Sequence, residues 1–115
     1  MDILTYRDYC LSKPGTEETT PFDENTLVFK VMGKMFALAG MEKFEYVNLK
    51  CDPDYALELR AENSAIRPGY HMSKKHWNSV YIEAGEKLLK SLTDHSYDLV
   101  VSKLSKKDQE ALRNL

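Results

Sequence analysis

The sequence predicts an α+β fold: an antiparallel sheet of at least four strands with helices packed on it, in the order α-β-β-β-α-β-α-α. Three observations carry this. Strand-like segments are grouped rather than alternated with helices, which argues against a doubly wound sheet. The first three strands are joined by short turns, which suit an antiparallel meander. The chain has 115 residues, 43% hydrophobic and 30% charged, the length and balance of one globular domain over residues 1–115. A chain of this size buries a core without disulfides or metals.

The elements follow in order. Asp2 caps a first helix that runs to about Lys13, with Ile3, Leu4, Tyr6, Cys10 and Leu11 at helical spacing. Pro14-Gly15 ends it. Residues Thr16 to Thr26 are polar and acidic and read as a connecting loop anchored by Phe22. Leu27 to Met32 is a strand, with Leu27, Phe29 and Val31 on one face and Val28, Lys30 and Met32 on the other. Gly33-Lys34 has Gly first, as a type II′ hairpin turn prefers. Met35 to Ala39 returns, and Phe44 to Lys50 is the third strand. Asp52-Pro53 opens a helix that ends near Asn63, with Asp at the cap and Pro at the first helical position. Ile66 to His76 is irregular, with a turn at Pro68-Gly69. Trp77 to Ile82 alternates as a fourth strand. After Gly85, Leu88, Leu89, Leu92, Ser96, Leu99 and Val100 mark a long helix to about Lys103. Ser105 and Asp108 have capping-box spacing and start a short last helix anchored by Leu112.

Several function classes are disfavoured. Net charge is −2 and the pI is near 5.9, which excludes a wholesale polycation but not a local basic patch. The longest apolar run, Val31 to Met41, is interrupted by Gly33, Lys34 and Gly40, so no membrane span is expected. The N-terminus has no basic region followed by an apolar stretch, so a cytoplasmic location with reduced thiols is expected. Cys10 and Cys51 read as small buried hydrophobes. His71 and His76 lack the i, i+4 spacing of a helical metal pair, and no carboxylate or cysteine lies between Asn63 and Ile82. No metal and no cofactor is expected. Asp94-His95-Ser96 holds triad residue types, but neighbours on a helix do not face one another, and the string reads as a solvated helix surface. There is no phosphate-cradling glycine motif. An enzyme is not expected.

Charge placement is more informative. Residues 1–26 hold two bases against six acids, residues 27–82 eight against six, and residues 83–115 six of each. The stretch from Asn63 to Ile82 has no acid. It carries Arg67, Lys74 and Lys75, with His71 and His76 beside them and Tyr70, Trp77 and Tyr81 interleaved. Bases with aromatic and amide side chains suit a polyanion: Lys and Arg meet phosphates, Asn78 reads or braces, and Trp77 stacks or wedges, against the favoured reading that Trp77 fills the sheet–helix interface. Lys30, Lys34 and Lys50 join if their strand faces converge.

Several segments together resemble one family. They are Lys13-Pro14-Gly15-Thr16-Glu17-Glu18, Phe29-Lys30-Val31 with Gly33-Lys34-Met35-Phe36, Asn48 to Pro53, Arg67 to Asn78, and Ser96-Tyr97-Asp98-Leu99-Val100. In this order they resemble the MmcQ/YjbR family of small bacterial proteins over nearly the whole chain. The resemblance implies a CyaY-like α+β fold, likened to the double-wing DNA-binding domain of a phage transcription factor. It brings no catalytic residues. It implies a DNA-binding protein and a shared surface or turn at the basic, aromatic-rich segment. Joined to the charge placement, this predicts a non-enzymatic protein in which Arg67, Lys74, Lys75 and His76 contact the backbone, Trp77 and Asn78 lie beside them, and Lys30, Lys34 and Lys50 form a second tier. The alternative is a protein-interaction module taking a peptide or partner helix at a sheet edge or beside Tyr70 and Trp77. Third is a small-ligand or metal-binding domain, with Asp2, Asp8, Glu17, Glu18, Asp23 and Glu24 compared with the acidic iron ridge of frataxin-like proteins.

Overall fold

The computed structural model describes residues 1–115. It holds α1 (Ile3–Leu11), β1 (Thr16–Thr19), β2 (Thr26–Val31), β3 (Lys34–Gly40), β4 (Tyr46–Lys50), α2 (Pro53–Glu62), β5 (Ile66–Pro68), β6 (Trp77–Tyr81), α3 (Glu86–Ser102) and α4 (Lys106–Arg113). The six strands form one antiparallel sheet in the order β1-β2-β3-β4-β6-β5. The meander and all four helices lie where the sequence places them. Two edge strands do not: Thr16–Thr19, expected as loop, pairs with β2, and Ile66–Pro68, expected as irregular, pairs with β6. Neither has apolar alternation, because each borrows its order from a longer neighbour. Phe22 is no anchor either; it is 62% exposed. No helix is long and apolar enough to cross a membrane.

Side-chain alternation sorts the sheet into two unlike faces. Leu27, Phe29, Val31, Val47, Leu49 and Val80 join Tyr6, Leu89, Leu92 and Val100 in the main core under the helices. The opposite face holds a small cluster of Val28, Leu38 and Trp77, with Met35 and Met72 against it. None of these five lies in a helix. Cys10 and Cys51 are buried on the helix side and unpaired, as expected of small hydrophobes. Burial pushes their thiols up to about 12 and about 11.

The caps behave as the sequence indicates. Asp2 accepts from the Thr5 amide, Asp52 from the Tyr55 amide and Ser105 from the Asp108 amide. The β2–β3 turn does not. Its central residues are Met32 (φ 49°) and Gly33 (φ 80°), because Val31 pairs with Lys34. Positive φ at both positions is type I′ geometry, shifted one residue from the expected Gly33-Lys34 turn.

One defect in the sheet is repaired from outside. Phe29 pairs with Ala37 but Lys30 pairs with Met35, so Phe36 is an extra, bulged residue. The bulge turns Phe36 into the helix-side core, edge-on to Tyr97 at 5.4 Å. The β3–β4 pairing stops at Ala37 and Leu49. There the fully buried Ser96 hydroxyl donates to the Phe36 carbonyl (2.6 Å) and accepts from the Lys50 amide (2.9 Å). Its neighbours on α3 anchor other elements. Asp94 accepts from Tyr9 (2.6 Å) and Lys13 on the α1 side, His95 Nε2 accepts from the Asp52 amide, and Tyr97 donates to the Pro14 carbonyl. The run read as a solvated helix surface is therefore the structural hub. Single residues on adjacent helix positions reach different elements because each leaves the helix about 100° from the last.

Two outcomes follow. Ser96→Ala strands a buried carbonyl and a buried amide, so it should cost about 2–3 kcal/mol and lower the melting temperature by roughly 10 °C, read by thermal unfolding. Desolvation raises the Asp94 pKa, but the hydrogen bonds from Lys13 and Tyr9 and the Lys13 charge outweigh it and hold the carboxyl below its ordinary value. A lowered folded-state pKa gives stability that is present above the unfolded pKa and lost as pH falls through the folded one. Asp94→Asn should thus be less stable than wild type at pH 7 by urea denaturation, and the gap should narrow below about pH 4.

Candidate nucleic-acid interface

Strand direction places the connections at two ends of the sheet, and charge segregates between them. The end that holds the Met32-Gly33 turn, here the hairpin end, also receives the α1–β1, β4–α2, β5–β6 and α3–α4 connections. Lys13, Lys34, Lys50, Lys74, Lys75 and Lys103 lie in or beside these connections, with Lys106 and Lys107 just beyond, and Asp52, the cap of α2, is the one acid within them. The far end receives the β1–β2, β3–β4 and β6–α3 connections, which carry Asp23, Glu24, Glu42, Glu45 and Glu83. Lys43 is the one base among these far-end connections.

The structure's three ion pairs are Arg7–Glu18, Lys13–Asp94 and Lys90–Glu86. Lys30, Lys34, Lys50, Lys74 and Lys75 are thus free of carboxylate partners. Lys34, Lys74, Lys75 and His76 are exposed, and Lys30 and Lys50 are half-buried. Lys30 faces Glu17 across the β1–β2 pair, which tempers its charge.

Segment Gly69–His76 leaves the hairpin end, folds over the uncovered sheet face and returns. Three devices hold it. The buried Ser79 hydroxyl accepts from the Tyr70 amide (2.9 Å), while Asn48 donates to the Tyr70 carbonyl (3.1 Å) and accepts from Ser79. On α2, Arg60 donates to Asn78 Oδ1 (2.6 Å), to the Trp77 carbonyl (3.2 Å) and to the Lys74 carbonyl. Gly69 admits no side chain: a Cβ there would stand 2.8 Å from Trp77 Cβ. Lys74 Nζ reaches back to the Gly69 carbonyl at 3.3 Å. His71 holds a left-handed backbone at φ 59°.

Three of the expected site residues are placed elsewhere. Trp77 is 7% exposed in the Val28–Leu38 cluster and Asn78 is 1% exposed, bound to Arg60 and to the Ala56 carbonyl. Neither reaches a surface ligand; Trp77 is the natural cover for a sheet face without helices, and Asn78 points to the helix side. Arg67 sits on edge strand β5, its guanidinium engaged 4.5 Å over the Tyr81 ring. The acids of the third-ranked metal-binding alternative do not gather into a ligand set. Glu18 is bound by Arg7 at 2.5 Å, and no three His, Cys, Asp or Glu side chains converge.

Beside the segment lies a cleft of about 550 Å³ on the uncovered face, toward the far end. Phe22, Tyr46, Tyr70, His71 and Met72 line it, over a floor that includes Leu38 and Asn48. Tyr46 lies 6.2 Å from Tyr70 edge-on and 5.1 Å from Tyr81. Burial, then Tyr81, Tyr70 and Glu45, pushes the Tyr46 phenol above its ordinary pKa. Strand alternation already set Tyr46 on the face opposite Val47 and Leu49. That this face lacks helices, and that Phe22 stands over it, is a tertiary fact with no local signal.

A YjbR family model matches residues 11–99, and the chain belongs to that family. The uncharacterised protein YbdF of Escherichia coli O157:H7 is 41% identical over 112 residues, spanning 95% of this chain and 92% of its own. YjbR of Escherichia coli (strain K12) is 32% identical over the full length of both. The crystal structure of the Deinococcus radiodurans protein DR2400, with family-model domain DUF419, superposes with a TM-score of 0.87 at 38% identity, over 96% of this chain and 87% of that one. A Pseudomonas syringae protein follows at 0.71 and 28%, over 86% and 98%.

The segment's order should depend on Arg60. Arg60→Met keeps the aliphatic stem but strands Asn78 and two carbonyls, which should cost about 1–3 kcal/mol. Hydrogen exchange of the Trp77 amide should speed up by more than that of Val80, which Arg60 does not touch. Equal acceleration of both would show that Arg60 serves global stability alone.

Proposed function

We propose that this member of the YjbR family binds the nucleic-acid backbone, DNA above all, through its hairpin end, in the cytoplasm and without catalysis. The observation that carries the reading is the segregation of charge: the hairpin-end connections are lysine-rich and the far-end connections acidic. Lys34, Lys74, Lys75 and His76 are the exposed contacts, with half-buried Lys30 and Lys50 as a second tier. Lysine is a point charge on a flexible stem, suited to phosphates rather than to bidentate base contacts. With Trp77 and Asn78 buried, base readout is left without its candidates. Binding by this surface is electrostatic positioning with little sequence preference.

The test is fluorescence anisotropy with labelled duplex across a range of salt. Lys74→Glu/Lys75→Glu should weaken binding at every sequence and make the log–log salt slope shallower by about 2. Lys87→Glu, at the far end of α3, should leave both unchanged. Undiminished binding by the double variant, or none by wild type at low salt, overturns the reading.

A further inference from the structure

We propose that the cleft on the uncovered sheet face binds an organic cation: an alkylated ammonium or a guanidinium on a small apolar body, held against the rings of Phe22, Tyr46 and Tyr70. Its volume of about 550 Å³ is that of a small-molecule pocket. Phe22 and Tyr70 are 62% and 56% exposed. Two large aromatic side chains of one cavity's lining thus stand in water, where a ligand would cover them.

The sign of the ligand's charge comes from two independent features. The first is the rim. Asp23 and Glu45 line the cleft, and Glu24 and Glu42 lie next to it in the same connections. Lys43 is the single lysine or arginine of the lining. Anions are repelled by this arrangement, and a neutral ring gains nothing from it. The second feature is that the same row of rings already holds a cation. Arg67 lies 4.5 Å over Tyr81, and Tyr81 lies 5.1 Å from Tyr46. The remaining cation–ring contacts of the structure use Tyr9 and Tyr97. No lysine or arginine therefore stands over the rings of Phe22, Tyr46 and Tyr70, and only the His71 imidazole, 4.0 Å from Tyr70, adjoins them, yet they carry the same negative faces that attract a cation. The Tyr70 backbone is fixed at both its amide and its carbonyl by the Ser79–Asn48 pair, so the main chain that carries the ring is already ordered before a ligand binds.

Two probes of one shape separate charge from apolar fit: choline and its uncharged carbon isostere, 3,3-dimethylbutan-1-ol. Each is titrated into the isotopically labelled full chain and followed by amide chemical shifts. Choline should give saturable shifts centred on Phe22, Tyr46, Tyr70 and His71, and the alcohol should bind at least tenfold more weakly. Tyr70→Phe should bind choline as wild type does, and Tyr70→Leu about fivefold more weakly, as the loss of one ring face implies. The spectra themselves report that each variant is folded. Equal binding of the alcohol, shifts away from the cleft, or no saturable shift with choline overturns the proposal.

Discussion

The bulge at Phe36 is the constraint on which the rest of the structure rests. It buries a large ring against Tyr97, and in doing so it separates β3 from β4 before either strand ends. Without a bridge, the Phe36 carbonyl and the Lys50 amide would face each other unpaired inside the protein, at about 1–3 kcal/mol each. The Ser96 hydroxyl accepts one bond and donates the other, so α3 is stitched into the sheet rather than merely laid on it. From there the order propagates. His95 receives the amide of Asp52, which caps α2. Arg60 on α2 then holds the carbonyls of Lys74 and Trp77. The basic segment is thus three contacts removed from a serine hydroxyl on the far side of the sheet.

The uncovered face shows how a sheet does without a helix layer. Trp77 supplies the apolar cover that a helix would otherwise give, packing on Val28 and Leu38. Beside it, Asn48 and Ser79 satisfy each other and the Tyr70 backbone, so polar groups stay buried there without an unpaired atom. Their geometry fixes where segment Gly69–His76 crosses the sheet. Its first half, Tyr70 to Met72, forms one wall of the cleft, and its second half carries Lys74 and Lys75 at the hairpin end. Gly69 sits where the chain passes closest to Trp77, which is why that position has no room for a side chain.

Much of this was legible in the sequence and some was not, for physical reasons. Helix caps are local chemistry, and Asp2, Asp52 and Ser105 act as their spacing indicates. The β2–β3–β4 meander follows from alternation and short turns. The edge strands β1 and β5 carry no such signal, since Thr16–Thr19 is entirely polar and Ile66–Pro68 is three residues long. The turn register was off by one because a methionine occupies a positive-φ position usually given to Asn, Asp or Gly. Asp94-His95-Ser96 looked solvated because its partners are distant in sequence: Tyr9, Asp52 and Phe36. For the candidate site, the lysines stand exposed at the hairpin end, while Trp77 is packed, the reading favoured for it, and Asn78 is buried. A Trp next to two lysines reads alike whether it stacks on a ligand or fills a core, and only the missing helix layer decides between them.

A net charge of −2 argues against polyanion binding only if a ligand feels the molecule as a single charge. It does not at physiological ionic strength, where the Debye length is about 8 Å. The five residues of β4 alone put about 13 Å between the two ends of the sheet, and the connections add more. The molecule extends 39 × 31 × 25 Å. Carboxylates of the far end are therefore screened from a phosphate at the hairpin end, while unpaired lysines there lie within one screening length of it. The same separation works in reverse for the cleft, whose lining charges are Asp23, Glu45 and the single Lys43 rather than the lysines of the opposite end. Local charge governs each site, and the sum over the chain governs neither.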